Sequence, residues 1–371
     1  MSLIHWSSRL LGTLIARPSV SAPIHLNDRK PSSLCMRHVK AISWLVNAGL
    51  CLSLVSGQAW GQTDTEKKEE QGTIVVEGRE GWLFFGPELR HLGVGKFWGE
   101  EAAAVSKARR PEWADPLLAI LDFHNQLREA GVDLVVVPVP PKAIVYPDKA
   151  PSTIELSGDP PPRLDVQHQS FYALLRENGI DVLDLTELFL SNRHHPEGHM
   201  YCQQDTHWSG IATMLAAEQI AASVRTTSWF EAVPKRAFQG QGRTVEIAGD
   251  LWTALDDSSR PKEQLRLRFV GSEPNPGSPV VLLGDSHTLV FHDGGDMHAE
   301  GAGLADQLAF ELGFPVDLVG VRGSGSTAAR INLLRRAQAT PGYWAKKKLV
   351  IWCFAAREFT ESDGWREVPI S

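Results

Sequence analysis

Two short motifs hold residue types that could carry out acyl chemistry. The first is Gly284-Asp285-Ser286, directly after the apolar run Pro279–Leu283. A serine at the end of a buried parallel strand sits at the carboxyl edge of a sheet, where open α/β sheets bind ligands. The turn after it can aim backbone N–H groups at a developing oxyanion. Taken alone, the same residues also describe a turn with a capping serine or aspartate. The second motif is Asp205-Thr206-His207-Trp208, followed by Ser209-Gly210 and a helical pattern. A serine hydroxyl needs a base, and the base needs an orienting carboxylate. Asp205 and His207 supply those groups at a spacing of two, and residues two apart on an extended strand point the same way. A histidine before a helix can equally be structural. The combination says more than either motif.

Other residues invite function but have plainer readings. His287 follows Ser286 directly, where a side chain is poorly placed as its base. His194, His195, His199, His292, Asp296 and His298 flank the two motifs, yet no helical His-x-x-x-His or Cys/His spacing supports a metal site. They read as solvated loop residues, and neither metal nor cofactor is expected. Arg330, Arg357 and Lys142 either contact an anionic sugar or are ion-paired. Trp82, Trp208 and Trp352 either stack on sugars or pack in the core. The chain has 12 Trp and 4 Tyr, an excess that fits carbohydrate handling and that packing also explains.

The motifs need a frame. Val132–Val139, Pro279–Leu283 and Leu349–Phe354 are apolar runs of the kind found in strands buried on both faces. Gly72–Phe85 reads as a short strand and then an aromatic turn, and shorter strands are expected at Ile180–Val182 and Val316–Val319. Helical patterns cover Ala114–Ala130, Leu164–Asn178, Leu185–Leu190, Ser209–Val224, Leu304–Leu312 and Ser326–Arg336, with Ser209 as a cap. Apolar strands separated by amphipathic helices predict an α/β fold, a mainly parallel sheet with helices on both faces.

Gly-Asp-Ser is similar to the motif of the SGNH (GDSL) hydrolases, but there the Asp and His follow the serine. Here they precede it, so the motif order is circularly permuted. Asp-Thr-His-Trp followed by Gly-Asp-Ser resembles the alginate O-acetyltransferase family of AlgJ and AlgX. So do Gly81-Trp82-Leu83-Phe84, the segment Val136–Lys142 with Tyr146-Pro147, and Val350-Ile351-Trp352 with Arg357-Glu358-Phe359. The resemblance spans about residues 72–360. It implies a three-layer SGNH-hydrolase-like (flavodoxin-like) fold and a serine acyl transferase or esterase acting on a polysaccharide. Carried over by position, Ser286 is the nucleophile, His207 the general base and Asp205 its orienter. The Gly-x-Asn-Asp segment of ordinary SGNH enzymes is not found. The Ser286 N–H and a glycine of Gly323-Ser324-Gly325-Ser326 are the oxyanion candidates, with Arg330 and Trp208 as substrate candidates. The chain ends soon after its closing strand, without room for the carbohydrate-binding module of AlgX, so the architecture looks closer to AlgJ.

Charge is unevenly distributed over the 371 residues. Formal net charge is −7, with 37 basic and 44 acidic residues, and no basic excess suggests a nucleic-acid partner. Residues 1–61 hold six of the basic residues and one acid, which leaves 31 basic and 43 acidic residues, a net of −12, in the rest. Arg37 and Lys40, the apolar Ala41–Val55 and the small residues of Ser56–Gly61 make the three-part pattern of a secretory signal. A start at Met36 gives a conventional signal, cleaved or kept as an inner-membrane anchor over 41–55. Residues 62–71 read as a linker and 72–371 as one domain.

The expected location is the periplasm. The expected partners are a polysaccharide substrate and a membrane-bound O-acyltransferase that delivers acetyl groups, in an export complex. The alternatives are a carbohydrate acetylesterase with the same triad and a non-catalytic polysaccharide-binding subunit. Cys202 and Cys353 either pair or stay as buried thiols, and spacing alone does not decide. An acidic body would tend to repel an anionic polymer such as alginate, which favours a neutral glycan.

Overall fold

A computed structural model describes residues 74–151 and 158–371; the leader and the linker lie outside the described residues. The described residues fall in one compact unit. The strands are β1 (Val75–Glu77), β2 (Leu83–Phe85), β3 (Asp133–Val139), β4 (Asp181–Val182), β5 (Gln241–Ile247), β6 (Glu263–Phe269), β7 (Val280–Gly284), β8 (Asp317–Gly320) and β9 (Leu349–Ala355). The principal helices are α1 (Gly86–Gly93), α2 (Pro116–Glu129), α3 (Val166–Glu177), α4 (Gly210–Arg225), α5 (Asp250–Leu255), α6 (Leu304–Leu312) and α7 (Thr327–Ala339).

The central sheet has the order β4-β3-β9-β7-β8, and each of its pairs is parallel. Parallel strands need crossovers, and the helices that make them cover both faces. The alternation of side chains shows this directly. Leu349, Ile351 and Cys353 of β9 and Val280 and Leu282 of β7 face one hydrophobic cluster, with α4 and α6. Val350, Trp352 and Phe354, with Val281 and Leu283, face the other, against Phe123 of α2, Phe171 of α3 and Leu333 of α7. The expected three-layer α/β sandwich is what these residues build.

Helix boundaries follow local chemistry. Pro116 at the first turn and the Asp115 carboxylate, which accepts from Leu117 N–H at 2.9 Å, start α2. Ser209 caps α4 as expected, its Oγ accepting from Ala212 N–H at 3.3 Å. Helices α1 and α5 were not expected, nor was the antiparallel hairpin of β5 and β6. Charged residues such as Arg243, Glu246, Arg266 and Arg268 hide its pattern, since only Ile247, Leu265 and Leu267 are buried. Among the described residues, no helix is long and apolar enough to cross a membrane. Cys202 and Cys353 are both free and buried, so the open choice between a disulfide and thiols falls to thiols.

Candidate active site

Strand β7 delivers the candidate nucleophile, Ser286. It ends at Gly284, where a Cβ would overlap the carbonyl of Cys353 on β9. Asp285 then caps a single helical turn, Ser286–Thr288. Its Oδ1 accepts from His287 N–H at 2.9 Å and its Oδ2 from Ala355 N–H at 2.7 Å. The carboxylate thereby ties the serine turn to the end of the central strand. Burial opposes its charge, but the partners His287 and Arg357 outweigh that and hold Asp285 well below the usual carboxylate range. Ser286 is 7% exposed. Its N–H opens the turn, where N–H groups have no partner within a helix.

The candidate base, His207, arrives from 79 residues earlier, and its Nε2 lies 2.7 Å from Ser286 Oγ. His207 Nδ1 is 2.6 Å from Asp205 Oδ1, which also accepts from His207 N–H at 2.9 Å. Asp205 and His207 therefore meet across a tight turn, not along an extended strand. With Nδ1–H given to the carboxylate, Nε2 presents its lone pair to the serine. Burial works against a charged imidazole, but the Asp205 carboxylate more than compensates and raises the His207 pKa above its ordinary value. Asp205 is fully buried. Burial alone would raise its pKa, but His207 and His298 pull it well below the ordinary carboxylate value.

The turn that carries Asp205 is clamped from three sides. The buried Lys142 ammonium donates to the carbonyls of Leu83 at 2.7 Å, Gln203 at 3.0 Å and Asp205 at 3.0 Å. Glu263 of β6 accepts from the N–H groups of Gln203 and Gln204 at 2.8 and 3.1 Å. Gly249 packs so closely that a Cβ would overlap the Gln204 carbonyl. Asp205 Oδ2 accepts from Asp250 N–H at 2.7 Å and lies 2.8 Å from His298 Nε2. Asp250 in turn holds Thr206, accepting from its N–H at 2.7 Å and its Oγ1 at 2.5 Å. Donor atoms of Asp205, His207 and Asp250 lie within 4.8 Å of one another, a proximity that the hydrogen bonds of the triad account for.

Sequence reading brought Ser286, His207 and Asp205 together and misplaced several neighbours. His298 is not a solvated loop residue, because its side chain is 9% exposed and bonds the triad aspartate. His292 is likewise turned inward, 2.7 Å from Asp306, whereas Asp296 is exposed as expected. Arg330 is a structural cation: its guanidinium is spent on the carbonyls of Ser326, Ala119 and Arg366 and lies over Phe123 and Trp352. Trp208 is fully buried, edge-on to His287 at 5.5 Å, and has no face for a sugar. Trp82 and Trp352 are buried too. Arg357 lies 3.4 Å from Glu88. Gly325 packs against Asp285 and Phe354, with its carbonyl taken by Trp352 Nε1 at 2.7 Å; Gly323 lies exposed in a left-handed turn. His287 is 3.2 Å from Asp285, and burial pulls its pKa down to about 4, so it stands neutral beside the triad. Asp250, Lys142 and His298 were missed as parts of the site. No local signal marks them, because their partners come from distant segments.

Comparison with known proteins agrees with this fold. The chain is 29% identical over 237 residues to the probable alginate O-acetylase AlgJ of Pseudomonas aeruginosa, covering 61% of this chain and 54% of the relative. It thus spans about half the length of that curated relative. To the alginate biosynthesis protein AlgX of the same organism it is 26% identical over 119 residues, 32% of this chain and 24% of the relative. Among solved structures, the O-acetyltransferase domain of Pseudomonas putida AlgJ superposes with a TM-score of 0.55 at 22% identity, over 77% of this chain and 92% of that one. Pseudomonas aeruginosa AlgX gives 0.53 at 19% identity, over 76% and 62%. Of the two, AlgJ is the nearer on both measures. Residues 75–356 match the family described as SGNH hydrolase-like domain, acetyltransferase AlgX, and the chain belongs to that family.

Proposed function

We propose that this protein is a periplasmic O-acetyltransferase that modifies an exported polysaccharide, alginate or a similar polymer, through a serine acyl-enzyme. The observation that carries this reading is the hydrogen-bonded chain Asp205–His207–Ser286, with links of 2.6 and 2.7 Å. The names of the AlgJ relatives supply the acyl group and the polymer class.

The triad geometry supports the following cycle. Ser286 Oγ attacks the acetyl carbonyl as His207 Nε2 takes its proton. The negative charge on the carbonyl oxygen is met by the Ser286 N–H, with Gly325 of the adjoining turn as the second donor. The tetrahedral intermediate collapses, the donor's leaving group departs with the proton from His207, and acetyl-Ser286 remains. A sugar hydroxyl then gives its proton to Nε2 and attacks the ester carbonyl. The Ser286 oxygen leaves and recovers the proton. Asp205 holds the imidazole in the tautomer that both halves need.

Residues 1–61 export the domain across the inner membrane, and a membrane-bound O-acyltransferase supplies the acetyl group there.

The test is acetate release from p-nitrophenyl acetate by the purified protein, with mass spectrometry of the acetyl adduct. Ser286→Ala is expected to lower turnover at least ~10³-fold and to abolish the adduct. Unchanged turnover in the variant would refute the nucleophile. Hydrolysis of acetylated polymer without transfer to a sugar would make it an esterase.

A further inference from the structure

The acceptor side of the triad has a chemistry of its own. A cleft of about 480 Å³ opens onto His207, within the roughly 300–1,000 Å³ range of small-ligand sites. One wall is the end of β5, with Glu246 and Ile247. The floor is α5, with Asp250. The other wall is the loop that carries Asp296, Met297 and His298. Three carboxylates line this cleft, and among the described residues no Lys or Arg does.

Two cations are ion-paired to carboxylates of the cleft. Arg322 lies 3.1 Å from Asp296 and 3.7 Å from Asp293. Lys262 lies 3.9 Å from Glu246. The Asp250 carboxylate is 43% exposed, and the protein partners of its oxygens are Thr206 and Leu251 N–H. Nothing in the cleft offers a carboxylate on the substrate a free positive charge. Four carboxylates (Glu246, Asp250, Asp293 and Asp296) against the two cations Arg322 and Lys262 still leave such a group facing a net negative rim, within a domain whose residues 62–371 carry a net −12. Carboxylates are, however, acceptors for hydroxyl donors, and Ile247 and Met297 give apolar surface for sugar C–H faces.

We infer that the acceptor bound in this cleft is a glycan without carboxylates, held by hydroxyl hydrogen bonds to Glu246, Asp250 and Asp296, and that a uronate polymer is disfavoured there. This rests on the acetyl-transfer reading above and narrows the polymers that reading admits. The cleft walls are specificity-determining, and they are the β5–β6 hairpin, which sequence alone did not resolve, and the loop after Ser286.

The test gives the full-length protein p-nitrophenyl acetate as donor. The acceptors, tested in parallel, are neutral β-1,4-linked hexasaccharides of glucose and mannose and a hexamannuronate. Acetylated products are counted by mass spectrometry. At low salt the better neutral acceptor is expected to be acetylated at least tenfold faster than the uronate. The gap should narrow as salt screens the repulsion. Glu246→Gln combined with Asp296→Asn should raise the uronate rate relative to the neutral one several-fold. Uronate acetylated as fast as the neutral sugars at low salt, or losing rate as salt rises, would overturn the inference. So would Ser286-dependent ester hydrolysis with no acetylation of any acceptor, which leaves the acyl-enzyme standing. Absence of Ser286-dependent hydrolysis would instead sink the acyl-enzyme reading itself.

Discussion

At the scale of single residues, the site is governed by how much charge is placed on Asp205 and how it is shared. Four hydrogen bonds converge on its two oxygens, from His207 N–H and Nδ1, Asp250 N–H and His298. The carboxylate is thus kept ionised in a buried place, where an unpaired charge would be costly. Its main effect passes to His207, whose pKa is raised. The general base must be neutral to act, so kcat/KM for an acetyl ester should rise with pH through a midpoint above the ordinary histidine value of about 6.5. In Asp205→Asn the main raising influence is gone, Asp250's smaller one remains, and burial still lowers the pKa. The acid limb should therefore move to lower pH than in the unsubstituted protein, and the plateau should fall roughly 10³–10⁴-fold as the tautomer is lost. A pH–rate profile of the two proteins checks both. The triad was legible in the sequence because its residue types are few and its two motifs are short. Lys142 was not. A lysine next to Pro-Pro reads as a surface charge, and only the fold shows its ammonium buried among three carbonyls.

At the scale of elements, the loop after the nucleophile deserves as much weight as the strand before it. It returns over the site with Phe291 and His298 in left-handed backbone, φ 63° and 70°. A bulky residue there costs on the order of 1–3 kcal/mol. Hydrogen bonds within the loop hold it, among them Phe291 N–H to Met297 O at 2.8 Å and Ala302 N–H to Phe291 O at 2.7 Å. His298 acts through Asp205 and is a positioning residue. His298→Ala should lower kcat on an acetyl ester roughly 10–100-fold, the worth of a hydrogen bond to a charged group. KM and the melting temperature should stay near their original values. His298→Gln, which keeps a donor, should recover part of the loss; equal damage in both variants with a lowered melting temperature would mean a structural role only. The buried strands were readable from apolar runs, because a strand covered on both faces has no polar alternation to confuse it. The β5–β6 hairpin was unreadable for the opposite reason: one face meets solvent and carries Arg and Glu where a core strand carries Val and Ile.

At the scale of the whole molecule, the fold stands on packing, with no covalent cross-link among the described residues. Cys202 and Cys353 are buried, and burial pushes both thiols well above their usual pKa, which makes them unreactive. A disulfide would be worth about 2–5 kcal/mol and its reduction would lower the melting temperature by several degrees. The expected result is no shift of melting temperature between oxidised and dithiothreitol-treated protein, read by calorimetry. The three-layer architecture was legible from the order of apolar runs and helical patterns. The free thiols were not, since no spacing rule reports which strands become neighbours.

The place of β9 has a consequence in time. The last strand of the chain, Leu349–Ala355, lies in the middle of the sheet between β3 and β7. Until it is made, β3 and β7 each present an unpaired edge, and the Ala355 N–H that steadies Asp285 does not exist. The two halves of the sheet can neither join nor set the serine turn before residue 355 has been made. Closing so many non-local pairings is slow. A chain ordered this way stays open until that strand emerges, and its serine turn is set late.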